Sequence, residues 1–259
     1  MNVLLLNDTS DYHNGCKVVT DVISKKYGVT ETFKTHEMNS SSKEILSYAK
    51  YDHVILNGKG TMHDNGKTSR LFLSQLHNAY YDGCDISIIN TVWQNCTSKF
   101  DYLLPRCKNV TVREIHSYNE MKSKHNFIPK IMPDCSYFYD VPYTHYEHVQ
   151  IYEGQYWLGK ESEYDNYPSI NIFKQSWEEI VNRLRNADLL ITGRHHEMYA
   201  ACKAKCKFLV KPGNTWKNEG LLDTVGANIP WDIEGILSGK YDGEYEKIWS
   251  YLDARACSW

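Results

Sequence analysis

Short apolar runs that alternate with amphipathic helical patterns constrain this chain more than any other feature. Residues 3–6, 30–33, 53–56, 86–92, 110–112 and 128–132 read as strands. Residues 15–26, 41–48, 69–81 and a Glu- and Lys-rich stretch from Ser117 read as the helices between them. The pattern resumes after residue 169 with helices over 176–186, 196–205, near 216–225 and over 245–252, and strands over 189–192 and 208–210. Strands buried on both faces read as continuous apolar runs, and parallel neighbours need a crossover helix between them. The expected fold class is therefore α/β, with two Rossmann-like parallel-sheet domains facing each other across a cleft. The domains are residues 1–140 and 141–259, the second opening on a loop-rich aromatic insertion at about 141–169.

Composition narrows the function classes. A length of 259 residues is enough to bury a large core, and a net charge of −3 gives no global push toward nucleic acid. No apolar run approaches the roughly 18–20 residues that cross a bilayer, so no membrane span is expected. The opening MNVLLLND lacks a basic region and reads as a first strand, not a signal peptide, which points to a cytoplasmic protein. The eight cysteines include no CxxC pair and read as reduced thiols. Cys202 and Cys206 lie one helical turn apart near His195 and His196, but their spacing fits no common zinc pattern, so no metal site is expected.

The chemistry concentrates where strands end and helices begin. The run Leu189, Leu190, Ile191 stops at Thr192-Gly193, and Arg194, His195, His196 and Glu197 follow. The run Phe208, Leu209, Val210 stops at Pro212-Gly213, and Asn214, Thr215 and Lys217 follow. Helix N-termini with a cation beside them suit phosphate or carboxylate, with a plain N-cap beside a solvated Lys as the alternative for the second group. Gly58 and Gly60, with Lys59 between them, form a turn through which backbone N–H groups could approach a ligand, or an ordinary tight turn. His63 and Asp64 adjoin that turn. Asn7, Asp8, Thr9, His13 and Gly15 follow the first strand, at the kind of strand end that lines the ligand crevice of open α/β sheets. Asp8 or His13 is a candidate acceptor-side base there, with helix capping by Ser10 or Asn14 as the alternative. Arg113 closes another strand and has the fork geometry to clasp a carboxylate or phosphate, unless it pairs with Glu114.

With these elements placed, the chain resembles the polysaccharide pyruvyl transferase family. The resemblance runs in order through NDTSDYHNGCKVV, VILNGKGTMHDN, IINTVWQN, VTVREIHSYNEM and IMPDCSYFYD, and is most specific at LLITGRHHEMYAA and PGNTWKNEGLLDTVG. It implies a GT-B-like fold and a transferase that uses an activated donor. It favours His196 over His195 as the matching histidine, and therefore as the general acid. Arg113 would hold the donor's carboxylate or phosphate, while Arg194 and Lys217 would stabilise departing phosphate. Asn214, Thr215, Gly58, Lys59 and Gly60 would complete the donor site, and Asp64 or Asp8 would deprotonate the acceptor, with His13 and His63 beside it. The donor would be phosphoenolpyruvate, with a glycan as acceptor and no cofactor.

Two other readings stay open. A viral DNA-modifying glycosyltransferase would use the same anion sites for a nucleotide sugar, with Lys122, Lys124, His125 and Lys130 lining a groove for DNA bearing a hydroxymethylated base. A non-catalytic nucleotide- or glycan-binding module would keep the fold without the chemistry.

Overall fold

The computed structural model describes residues 1–34, 47–155, 167–212 and 215–257, which divide into two compact units. Unit one comprises Met1–Thr9 and Thr20–Pro133, and unit two comprises Ser10–Val19 and Asp134–Trp259.

Unit one is built on a six-stranded sheet in the order β2-β1-β3-β4-β5-β6, every neighbouring pair parallel. The strands are β1 (Val3–Asp8), β2 (Glu31–Lys34), β3 (His53–Lys59), β4 (Asp85–Thr91), β5 (Cys107–Val112) and β6 (Lys130–Ile131). Helices α1 (Asn14–Tyr27), α2 (Lys67–Tyr81) and α3 (Ile115–Lys124) occur between successive strands, as the alternation requires, with α1 shared in sequence between the units. Each residue of β1 and β3 is buried, so these strands could not have shown a polar face. Leu4, Leu6, Val54, Leu56, Ile86 and Ile88 pack with Phe72, Leu76, Trp93 and Leu103 into one core cluster.

The order places β2 on one side of β1 and β3 on the other, so the topological switch point lies between β1 and β3. Ligand crevices of open α/β sheets form outside the carboxyl ends of strands at such points. Here those ends carry a row of hydrogen-bonded amides. Asn7 Nδ2 donates to Asn57 O at 2.6 Å, Asn90 Nδ2 donates to Asn57 Oδ1 at 3.0 Å, and Arg113 Nε donates to Asn90 O at 3.0 Å. Asn7 and Asn90 have φ of 64° and 55°, a left-handed conformation that Asn tolerates better than most residues.

Unit two carries the three-stranded parallel sheet β7-β8-β9, formed by Val149–Glu153, Ala187–Thr192 and Lys207–Val210. Its helices are α4 (Trp177–Leu184), α5 (His195–Ala204), α6 (Glu219–Val225), α7 (Ile233–Leu237) and α8 (Asp242–Ala256). Ser176 caps α4 by accepting from Glu179 N at 3.1 Å, in a Ser-x-x-Glu sequence typical of helix starts. Leu189, Leu190, Ile191, Met198, Tyr199, Phe208, Tyr245 and Ile248 are all buried.

Three expectations change. The stretch read as a loop-rich insertion contains β7, an edge strand whose VQIYE is buried only over its last three residues, so its apolar signal is weak. The segment 98–106, left without an element, is 3-10 helical, with Thr97 accepting from Lys99 N at its start. The helix expected near 216–225 begins at Glu219 and is seven residues long. The helix expected over 41–48 falls outside the described residues except for its last two positions.

A Cβ added at Gly58 would overlap the Oγ1 and Cβ of Thr91 on the neighbouring strand, with Thr91 Cα 3.1 Å away. Gly58→Ala should therefore destabilise the chain by about 1–3 kcal/mol, as overpacking of a close-packed core does. Urea unfolding followed by far-ultraviolet circular dichroism measures it, and an unchanged midpoint would remove the packing role.

Candidate active site

The first turn of α5 gathers several ionisable side chains in unit two. Strand β8 ends at Thr192, and the chain reaches α5 through Gly193 and Arg194. Glu197, in this first turn, is fully buried and acts as a staple. Its Oε2 accepts from Gln155 N at 2.8 Å and Thr192 Oγ1 at 2.6 Å, and its Oε1 accepts from Ile172 N at 3.3 Å. Burial pushes its carboxyl up to about 7, against those three hydrogen bonds and the Arg194 charge, which pull the other way. Gly154 leaves room for it, since a Cβ there would overlap Glu197 Oε2.

This staple fixes the two residues before it. The side chain of His195 is 4% exposed, and its Nε2 lies 3.4 Å from Asp134 Oδ2. The side chain of His196 is 12% exposed, and its Nε2 lies 3.8 Å from Asp134 Oδ1. Asp134 is fully buried at the start of a 3-10 turn (Cys135–Phe138), where its Oδ1 also accepts from Ser136 N at 2.9 Å. His13 packs edge-on against His196, with ring centroids 5.0 Å apart, and against Phe173 at 5.4 Å. Gly15 makes that approach possible, because a Cβ on it would lie 2.7 Å from His196 Cβ. Arg194 stacks its guanidinium 5.1 Å from the centre of Phe173, which with Tyr12 forms an exposed aromatic corner. A buried carboxylate beside imidazoles orients them and stabilises their protonated form.

Of the residues expected at the site, the structure thus gathers His196, Arg194 and His13 in unit two. Thr215 and Lys217 lie in the turn before α6, which is too short to present a strong helix dipole, and Asn214 lies outside the described residues. In unit one, Lys59 is nearly buried at φ 46°, and its ammonium donates to the hydroxyl of Thr9 across the switch point. Gly60 and His63 line a depression of about 420 Å³ together with Thr61 and the first turn of α2. Asp64 accepts from His63 Nδ1 and Asn95 Nδ2, both at 3.1 Å, and these bonds hold its carboxyl below the usual range, which makes it a weaker base. Asp8 is buried at the end of β1 and accepts from Thr20 Oγ1 at 3.0 Å. Arg113 is buried and bonds Asn90, while Glu114 caps α3 by accepting from His116 N and Ser117 N.

One expectation is corrected. His125 cannot line a groove, because it is buried between Asp101 Oδ1 at 2.7 Å and Trp93 Nε1 at 3.1 Å. Cys202 and Cys206 are buried thiols whose desolvation pushes both pKa values up. Among the described residues, a group of potential metal-ligand atoms joins His13, Cys16 and His196. All eight cysteines are thiols, not disulfides. Asp134, Cys16 and Phe173 were not singled out for the site from sequence, and Glu197 was placed at the helix start without a role. The Asp that follows β6 in IMPDCSYFYD was the available signal for the first of them.

No protein-family model matches the sequence, and a search of curated proteins returns no match. Solved structures do resemble it. A functionally uncharacterized protein from Klebsiella pneumoniae superposes with a TM-score of 0.60 at 14% identity, over 86% of this chain and 87% of that one. The UDP-GlcNAc 2-epimerase from Neisseria meningitidis, solved bound to UDP-GlcNAc, gives 0.54 at 11% identity, over 99% and 97%. Likeness at this identity establishes the fold, which is GT-B-like α/β with parallel sheets, and leaves the reaction to be argued from the site. Among the described residues, no helix is long and apolar enough to cross a membrane.

Both Glu197 oxygens accept from backbone N–H groups, so an amide in either orientation would set its NH2 against one of those donors. Glu197→Gln should therefore cost about 1–3 kcal/mol of stability. Chemical denaturation reads this, and wild-type stability of the variant would show that the staple contributes nothing.

Proposed function

We propose that this chain is a transferase that moves a group from an activated phosphorylated donor to an acceptor hydroxyl, with pyruvyl transfer from phosphoenolpyruvate to a glycan as its leading form. The observation that carries the reading is the buried Asp134 carboxylate set against both imidazoles of the α5 first turn, His196 being the more exposed of the two. Sequence resemblance at the same GRHHEMYAA stretch supports it.

In pyruvyl transfer, His196 donates a proton to the methylene carbon of the donor, whose C=C pair forms the new C–H bond. The adjacent carbon becomes electron-poor and bonds to the acceptor oxygen. The C–O bond to phosphate then breaks, with its electron pair leaving on phosphate, and a second hydroxyl closes the ketal. The two hydroxyl protons end on the regenerated imidazole and on phosphate, so the balance closes. Asp134 stabilises the imidazolium before transfer, and Arg194 offsets charge on the departing phosphate.

A second reading moves a sugar from a nucleotide sugar instead. It is favoured by the exposed corner of Tyr12 and Phe173 beside Arg194, a surface on which a base or sugar ring stacks. The Neisseria epimerase of similar fold binds a nucleotide sugar, which adds to this second reading.

General acid catalysis contributes roughly 10²–10⁴ in rate, so His196→Ala should cut kcat at least about a hundredfold with an unchanged circular dichroism spectrum. Asp134→Asn should lower kcat more than it changes KM, because its effect passes through the imidazole. Near wild-type turnover by His196→Ala would end the assignment. Thermal-shift titration with phosphoenolpyruvate and with UDP-sugars separates the donors, since a ligand at 100 times its Kd adds about 2.7 kcal/mol. Stabilisation by UDP-sugars alone would replace the pyruvyl form with the glycosyl one.

A further inference from the structure

The side chains that ring His196 have a second capability that proton transfer does not use. His13 and Cys16 are three residues apart at the start of α1, a spacing that puts them on one helix face. His196 reaches them from the first turn of α5, and one nitrogen or sulfur from each of the three residues lies within 4.8 Å of the other two. Cys16 Sγ is 3.4 Å from His13 Nε2. A tetrahedral ion with bonds of about 2.0–2.1 Å to nitrogen and 2.3 Å to sulfur has ligand–ligand edges of about 3.3–3.6 Å. The thiol–imidazole edge already has that length, and the longest separation closes by about 1 Å through imidazole rotation.

The surroundings agree with this geometry. The Cys16 amide donates to His13 O at 2.9 Å and, more weakly, to His13 Nδ1 at 3.2 Å. Its shorter bond survives if Nδ1 takes the proton that Nε2 gives up to an ion. Asp134 flanks His196 Nε2 at 3.8 Å, the position of the carboxylate that commonly supports a ligating imidazole. Gly15, between His13 and Cys16 in sequence, is the residue whose missing Cβ admits His196. One thiolate and two imidazoles make a donor set for zinc-like transition metals, not for magnesium or calcium.

We propose that His13, Cys16 and His196 form a binding site for a zinc-type divalent ion, and that its occupation withdraws His196 from proton transfer. The site is set by the three ligands alone, whereas the inhibitory consequence rests on the proton-donor role given above to His196. On binding, the Cys16 thiol releases its proton to water, and the fourth coordination position is left for water.

Cobalt(II) added to the chelator-treated full chain reports the site directly. The expected result is a thiolate-to-cobalt charge-transfer band and the intense visible absorption of tetrahedral cobalt. Cys16→Ser abolishes the charge-transfer band, His13→Ala weakens cobalt binding at least about tenfold, and Cys257→Ser, at an exposed thiol, leaves both unchanged. Circular dichroism confirms that each variant is folded. A folded wild-type chain without the band, or a band that survives Cys16→Ser, would overturn the site. In the activity arm, stoichiometric zinc lowers wild-type turnover, and the fraction of turnover lost is smaller in Cys16→Ser, each measured against its own metal-free rate. Zinc that binds without slowing the wild type would overturn the inhibitory role, and failure to find any transfer would count against the transferase reading while the cobalt spectrum still decides the site.

Discussion

Unit two depends on one buried carboxylate. Glu197 gives up nearly all contact with water, a large cost for a charge, and recovers part of it through three hydrogen bonds to β8 and to the segments at 155 and 172. Those bonds tie the first turn of α5 to the end of β8 and to the chain that follows β7. His195, His196 and Arg194 inherit their positions from that tie. The two glycines nearby serve the same end: Gly154 clears space for the carboxylate, and Gly15 clears space for the imidazole of His196.

Unit one solves a related problem by different means. Parallel strands end with backbone groups that the ladder no longer pairs, and a buried sheet must satisfy them. The Asn7 amide does this for the Asn57 carbonyl and the Arg113 guanidinium for the Asn90 carbonyl, while Asn90 donates to the side chain of Asn57 and links the two. Arg113 therefore has a structural role that its strand-end position alone does not reveal. Lys59 is tethered to Thr9 in the same region, so cation and hydroxyl stand together at the switch point between β1 and β3.

The α1 start is the place where chemistry and packing overlap most. His13 touches His196, Phe173 and Cys16, and through them it belongs to the group around Asp134. A residue read from sequence as part of the first strand–helix turn thereby joins a site built from residues more than a hundred positions away. The same imidazole environment that favours a proton carrier also favours a soft metal ion, because both need a nitrogen lone pair held near a negative group.

By itself, the sequence determined the α/β class, most of the succession of strands and helices along the chain, and which candidate side chains stand at strand ends. It could do so because doubly covered strands must be apolar throughout, and because helix starts carry local capping signals such as Ser176 and Glu179. Arg194 and His196 were legible for the same reason, since their position follows from a strand ending at Thr192. The edge strand β7 was not, because its first two residues meet solvent and its five-residue VQIYE offers only a short, interrupted apolar signal. Tertiary structure alone decided which partners those side chains acquired. Asp134 beside the imidazoles, His13 beside His196, Glu197 under the turn and His125 sealed against Trp93 are all contacts between segments distant in sequence. Such contacts are set by how buried groups compete for the few polar partners a dry interior offers, and local sequence carries no record of that competition.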